Sequence, residues 1–336
     1  MHDRFSMRRP TAMAATAFVL LAATVAHADT PDIIQSVYHD WMAPAAADFS
    51  RDSARLTPAL QALCDAPANQ ADGSLQQARQ RWLAALSSWE RLSTAAIGPL
   101  IERRSQRQID FTPTRPHLIE KAVKSAPSGP ADMELIGTPA KGLPALEWLL
   151  WVQPAQPASP ECRYAVQVAA EIGREAVALD GAYKQAAQRT PDSAALSEFV
   201  NQWVGGLERL RWANMEKPAS VAMTAKHHVA PDFPHTSSGA TASSWATQWA
   251  TLRALAAGNG SLSMETALRE RGLPKVADAL ARATRHADVN MQGLTLGDKD
   301  DILAAAEELD ALKRLVEKQV APALGVNMGF SDADGD

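Results

Sequence analysis

The 336-residue sequence contains only two cysteines and three tyrosines, and it has no excess of basic side chains. Two cysteines exclude a small disulfide-framework protein and a cysteine-rich zinc module. The net charge of −5 gives no support to a nucleic-acid-binding surface, which is usually basic. Because 46% of the residues are hydrophobic, the chain can bury one large or two ordinary cores, which excludes a disordered protein.

The sequence also lacks the common enzyme motifs. It contains no H-E-x-x-H zinc motif, no P-loop, no G-x-S-x-G nucleophile elbow and no dinucleotide-binding G-x-G-x-x-G. His117 and Glu120 form one H-x-x-E pair, whose spacing places both side chains on the same face of a helix. Two ligands do not make a metal site, so we interpret the pair as an ordinary helix surface, with metal binding as the alternative.

The longest apolar run lies at the N-terminus. Arginines at positions 4, 8 and 9 precede an apolar stretch over residues 11–26, and Ala26-His27-Ala28 has the A-x-A pattern of a signal-peptidase site. We predict a signal peptide over residues 1–28, cleaved after Ala28, and a periplasmic mature chain over residues 29–336. Removing 28 of 336 residues leaves 308, with 30 basic and 37 acidic side chains. No later segment is apolar enough to cross a membrane, so we expect no membrane insertion. The excess of acidic side chains also leads us to expect no nucleic-acid partner.

After the predicted export, Cys64 and Cys162 would lie in an oxidising compartment. We predict that they form one disulfide, which closes a loop of about a hundred residues and restricts the unfolded chain. A redox-active pair is the alternative, although neither cysteine lies in a C-x-x-C motif.

The hydrophobic period is helical almost throughout, which predicts an all-α protein. Ser74 to Gln77 match a capping box, Ser159-Pro160 matches an N-cap followed by proline, and Pro44 should kink or divide the leading helix. The other predicted helices end near residues 188, 215, 257, 291 and 324. Helices of this number and length favour two packed bundles, with a boundary near residues 191–217.

Two irregular stretches interrupt this pattern, at residues 125–141 and 216–240. The second contains His227, His228 and His235, and a loop of this length is usually functional or else disordered. The loop histidines can approach a ligand or metal, or they can be solvated. The ending from Asp332 to Asp336 has only part of a calcium-loop pattern, so an acidic tail or a frayed end is the simpler interpretation.

Three features together resemble the imelysin family of exported bacterial proteins. They are the block GLPALEWLLW at residues 142–151, the irregular stretch before it, and the ending LGVNMGFSDADGD at residues 324–336. The polar segment before Thr241, which includes Ser237 and Ser238, is also similar. The resemblance implies an all-helical fold of two bundles, an envelope location and an association with iron uptake or haem utilisation. Some relatives are described as metallopeptidases.

The chain departs from this family at its G-x-H-x-x-E signature, whose positions carry Gly142, Pro144 and Glu147. Proline has no ligand atom, and one carboxylate cannot hold zinc or iron, so we expect no metal at this degenerate motif. Pro144 suits the first turn of a helix, where its missing N–H is not needed. Glu147 is then either a first-turn residue favoured by the helix dipole or a buried acid kept for ligand recognition.

We interpret the chain as a non-catalytic binding or accessory protein of the envelope, linked to iron uptake. Its partner would be an iron-related or other small ligand, or an envelope protein, and no cofactor is identified. One alternative is a metallopeptidase whose ligands come from histidines outside the degenerate motif, and another is an interaction protein that has lost the site. The candidate ligand-binding residues, expected between the bundles, are Gly142, Glu147, His227, Ser237 and Ser238. Arg103, Arg104 and Arg107 form a further basic cluster, either for an anionic ligand or simply solvated.

Overall fold

The computed structural model describes residues 31–224, 230–258 and 263–329. The predicted signal peptide, His227, His228 and the acidic C-terminal ending lie outside these residues. The described part of the chain is helical and contains no strand, which confirms the predicted all-α fold. None of its helices is long and apolar enough to span a lipid bilayer.

The α-helices of these segments vary widely in length. They are α1 (Pro31–Ser36), α2 (Ala43–Ser53), α3 (Leu56–Cys64), α4 (Ala71–Ser93), α5 (Pro99–Glu102), α6 (Ser105–Ile109), α7 (Pro116–Ser125), α8 (Pro130–Glu134), α9 (Gly142–Glu147), α10 (Pro160–Ala186), α11 (Ala195–Glu208), α12 (Lys217–Thr224), α13 (Thr241–Ala257), α14 (Met264–Glu270), α15 (Pro274–Met291), α16 (Lys299–Leu315) and α17 (Ala321–Ala323). A short 3₁₀ turn covers Thr138–Ala140.

Four wider, π-helical segments each end two residues before a proline. They are Val37–Met42, Trp148–Val152, Arg209–Glu216 and Val316–Val320. Proline has no N–H, and its ring clashes with the carbonyl four residues earlier, a conflict that a wider turn relieves. The leading helix therefore passes through Pro44 undivided and continues to Ser53, and it is interrupted at residues 54–55.

The longer helices pack in two groups. In the first group, α2, α3 and α4 pack on one another and α10 packs on α2 and α3. In the second group, α13 and α16 each pack on α11 and α15. Helix α4 packs against α13 across the two groups, and the buried apolar side chains form one continuous core. The first group ends with α10 at Ala186 and the second begins with α11 at Ala195; the boundary near residues 191–217 stays a prediction.

Two predicted helix starts have different outcomes. Ser159 caps α10, because its hydroxyl accepts a hydrogen bond from the backbone N–H of Cys162 at 3.1 Å. The capping box predicted at Ser74 is wrong, since α4 already begins at Ala71 without a side-chain cap. Ser74 donates its backbone N–H to the carbonyl of Gln70, as a residue within a helix does.

The predicted disulfide is confirmed. Cys64 at the end of α3 is bonded to Cys162 in the first turn of α10, across 98 positions of sequence. Both residues are buried in the core of the first group. This position supports the interpretation of the bond as a structural connection between two helices.

Candidate functional site

Gly142 opens α9 in a conformation that only glycine accommodates here. Its φ is +75°, and a Cβ atom would lie 2.3 Å from the carbonyl oxygen of Ile109. This close approach places α9 directly against the end of α6. Gly142 is buried, so its contribution to the site is to position α9.

The rest of α9 is also buried. Pro144 is the third residue of the helix, where a backbone N–H has no partner within the helix, so the ring is tolerated. The indole N–H of Trp82, on α4, donates to the carbonyl of Leu143 at 3.0 Å. This contact joins α9 to α4 and leaves Glu147 at the last position of the helix.

The carboxylate of Glu147 is bound by the loop over residues 230–240. Its Oε2 lies 2.9 Å from Nδ1 of His235. Its Oε1 accepts hydrogen bonds from the backbone N–H of Ser238 at 3.1 Å and from the Ser238 hydroxyl at 2.7 Å. The Glu147 and His235 side chains are 9% and 6% exposed, so both oxygens of a buried acid have protein partners.

The pair is ionised at neutral pH. Burial by itself raises the pKa of Glu147 and lowers that of His235. The hydrogen bond between the two residues and the Ser238 donors outweigh burial, so the pKa of Glu147 lies below its usual value. The same hydrogen bond, together with the charges of nearby acids, raises the pKa of His235 to about 9.

The loop that carries His235 is held by contacts on both sides. His235 adopts a φ of +61°, which is uncommon for a residue with a side chain. Its ring meets Trp82 edge to face, with the ring centres 5.7 Å apart. Phe233 packs edge to face on Trp245, and the hydroxyl of Thr241 donates to the carbonyl of Pro234 at 2.7 Å. These contacts hold the imidazole in position against Glu147.

Two further acids lie beside the pair. Glu90, on α4, is 4% exposed, and its carboxylate accepts hydrogen bonds from Ser244 and Gln248. Asp110 accepts a hydrogen bond from the Trp89 indole at 3.3 Å, while its buried Oδ1 has no partner among the described residues. The charges of both acids contribute to the raised pKa of His235. Burial raises the pKa of Glu90 to about 7.

The donor set of this region does not fit a metal ion. A zinc site takes at least three protein ligands, and no three His, Cys, Asp or Glu residues converge for one in the described ranges. Pro144 supplies no ligand atom, and Glu147 and His235 are hydrogen-bonded to each other. No step through a metal is derived for these residues.

The other candidates predicted from the sequence lie apart from this pair. Ser237 is exposed on the loop next to Ser238, and His117 and Glu120 are exposed on α7. Arg103 forms two hydrogen bonds with Glu175, at 2.7 and 2.9 Å, so its charge is already paired. Arg104 and Arg107 are exposed. Among the predicted candidates that the structure describes, only Ser238 contacts Glu147, and Gly142 contributes through the placement of α9.

Sequence reasoning missed the residue that contacts Glu147 most directly. His235 stands 88 positions away, in a loop without a recognisable motif. The unusual length of that loop was the only signal, and it did not distinguish His235 from His227 or His228. Glu90 and Asp110 were missed as well, since neither belongs to a spacing pattern of its own.

The fold and the site together define an all-helical protein in which a buried carboxylate–imidazole pair joins α9 to the loop before α13. The chain belongs to the Imelysin family, which its sequence matches over residues 42–325. This membership confirms the resemblance found in the sequence. No curated protein matches the sequence significantly.

Two solved structures show the same fold. An imelysin-like protein from Psychrobacter arcticum 273-4 is similar with a TM-score of 0.74 and 20% identity, over 88% of this chain and 96% of that chain. A "putative iron-regulated protein A precursor" from Parabacteroides distasonis ATCC 8503 is similar with a TM-score of 0.68 and 14% identity, over 88% of this chain and 95% of that chain.

Proposed function

We propose that the chain is an exported, non-catalytic binding or accessory protein of the bacterial envelope, linked to iron uptake. The observation that carries the non-catalytic part is the internal bonding of the Glu147 carboxylate, whose two oxygens bind His235 and Ser238. An acid with these partners holds a loop in place, and its bonded imidazole faces the carboxylate itself rather than a shared metal position. The link to iron is supported by the family and by the name of the Parabacteroides protein.

The proposed ligand site is the surface of the loop over residues 230–240. Ser237 is exposed there, and Nε2 of His235 makes no hydrogen bond to any described residue. With His235 protonated, its imidazole is a charged donor that lies beneath this surface, at 6% exposure, where its positive charge suits an anionic ligand. Glu147 and Ser238 hold the donor in place, Gly142 positions α9, and the role of His227 stays a prediction.

An interaction protein without a small ligand is the second candidate, because every observed contact of Glu147 is internal. A metallopeptidase is not proposed, since no three metal-binding side chains converge in the described segments.

Titration of the mature chain with iron probes separates these functions. The chain from Asp29 onward is titrated with ferric citrate, ferrous sulfate and haemin, and binding is followed by calorimetry. We expect one probe to bind, Glu147→Gln to weaken binding about tenfold, and the exposed control Glu120→Gln to leave it unchanged. No binding by any probe would favour the interaction protein. Chelator-sensitive cleavage of an unfolded polypeptide would overturn the non-catalytic assignment.

Export is tested separately in the source bacterium. Fractionation should place the chain in the periplasm, and N-terminal sequencing should begin at Asp29 if cleavage follows Ala28. Recovery of the full-length chain from the cytoplasm would contradict the proposed location.

A further inference from the structure

Glu90 lies where the two helix groups meet. It projects from α4, and its Oε1 accepts hydrogen bonds from the Ser244 hydroxyl and, at 3.2 Å, from the Gln248 amide, both on α13. Asn214 in turn donates to the Gln248 carbonyl oxygen at 3.1 Å. A single buried carboxyl group therefore connects α4, α13 and the π-helical segment before α12.

The charged groups of this region do not balance when every acid is ionised. Glu147 pairs with His235, and Asp110 interacts with the charge of Arg209. Glu90 is the third acid, while the described residues supply two bases, His235 and Arg209. One bound proton makes the cluster neutral.

Glu90 is the acid best placed to hold this proton. The charges that reach it are those of His235 and Asp110, and its own hydrogen-bond donors are neutral. The remaining charged side chains on the helices packed against α4 form ion pairs of their own. These pairs are Asp48–Arg91, Asp52–Arg51, Asp52–Arg55, Glu147–His235 and Asp288–Arg253. A hydroxyl such as that of Ser244 can donate or accept, so it can bond to either form of the carboxyl group.

We propose that the contact between α4 and α13 is a proton-dependent latch. Glu90 carries a proton while the two helices are packed together, and loss of this proton loosens the contact. An ionised carboxylate at this depth has no cation of its own, and water can reach it only if the helices separate. Because α13 directly follows the loop that carries His235 and Ser238, the latch lies next to the candidate site, while the Glu147–His235 pair still holds the loop itself.

The direction of the pH effect follows from the chemistry of Glu90. Burial raises its pKa from 4.5 to about 7, even though the bonds from Ser244 and Gln248 and the charge of His235 act in the opposite direction. The folded chain therefore keeps a proton that the unfolded chain loses. The stability that this proton contributes is complete below pH 4.5 and disappears as the pH rises to about 7.

Thermal unfolding of Glu90→Gln tests the latch, since glutamine is a neutral group of the same shape. The variant should become more stable relative to the wild type by about 5 °C between pH 5 and pH 7.5, with no further change above. Exposed Glu120→Gln on α7 is the matched control, and its difference from the wild type should not vary with pH. A Glu90→Gln difference that is independent of pH would overturn the proposal.

A second variant keeps the test decisive if Glu90→Gln fails to fold. The Ser244 hydroxyl bond lowers the pKa of Glu90, so Ser244→Ala should move the transition to higher pH. Hydrogen exchange in α13, corrected for the intrinsic rate, should accelerate above pH 7 in the wild type and at a higher pH in this variant. An unchanged midpoint refutes the latch. The measurements use no ligand, so their outcome is independent of the proposed function.

Discussion

Glu90 and Glu147 are buried to nearly the same extent, at 4% and 7% exposure, yet their pKa values move in opposite directions. Glu147 faces a protonated imidazole and two donors from Ser238, whereas Glu90 faces a hydroxyl and an amide. Burial raises the pKa of both acids, and at Glu147 the bonded, charged His235 and the two Ser238 donors together reverse the shift. The comparison shows that the partner, rather than the depth, decides which acid is ionised.

Removing the charged partner should have the largest effect. His235→Ala leaves Glu147 buried without a counter-charge, and we expect a loss of about 3–5 kcal/mol in the free energy of unfolding at pH 7. Chemical denaturation measures this change. The exposed residue His286 is the control, and His286→Ala should change stability by no more than about 0.5 kcal/mol. In the double variant with Glu147→Gln, part of the loss should be recovered, because the orphaned charge is removed.

The free energy of unfolding, measured as a function of pH, should separate Glu90 from the Glu147–His235 pair, because the two lose their stabilising protons in different pH ranges. The pKa of His235 is raised from 6.5 to about 9, so the stability it contributes is complete below pH 6.5 and is lost as the pH rises through 9. We expect the wild type to lose about 2–3 kcal/mol over this range. Glu90→Gln should retain this alkaline loss, whereas His235→Gln should abolish it. An alkaline loss of the same size in His235→Gln would show that another group is responsible.

The smallest effect is expected from the hydroxyl of Ser238. Ser238→Ala removes the 2.7 Å donor to Glu147 but leaves the backbone N–H in place, so we expect a loss of about 1 kcal/mol. The pKa of Glu147 should rise, because a donor to its charged form is gone. The neighbouring exposed residue offers the control, and Ser237→Ala should be close to neutral. Equal effects of the two substitutions would show that the Ser238 hydroxyl does not stabilise the Glu147 carboxylate.

Local patterns predicted much of the fold. The helices ending at Ala257 and Met291 were expected at those residues, and the apolar stripe with Trp82 and Trp89 is buried as its period requires. The wider turns before four prolines were not expected, since a kink or a break is the usual prediction at proline. Three of these helices continue through the proline, and the fourth ends at Val152, before Pro154.

The partner of Glu147 could not be predicted from the sequence. The Gly142 to Glu147 block marked one half of the contact, but His235 reaches it only because α9 packs on α4 and the loop packs on Trp82 and Trp245. Glu90 is equally inconspicuous, since its environment is formed by side chains of α13 that lie about 150 positions later. Spacing motifs detect residues that meet within one element, and these contacts join distant ones.

The sequence by itself determined the helical class, the disulfide and the family, because periodicity, two cysteines and a few conspicuous blocks are properties of local chain segments. Only the tertiary structure decided the charge state of each buried acid. A pKa depends on the few atoms within hydrogen-bond reach and on the water that packing excludes. These neighbours are assembled from residues far apart in the chain, so Glu90 and Glu147 acquire different protonation states only when α4 meets α13 and the loop meets α9.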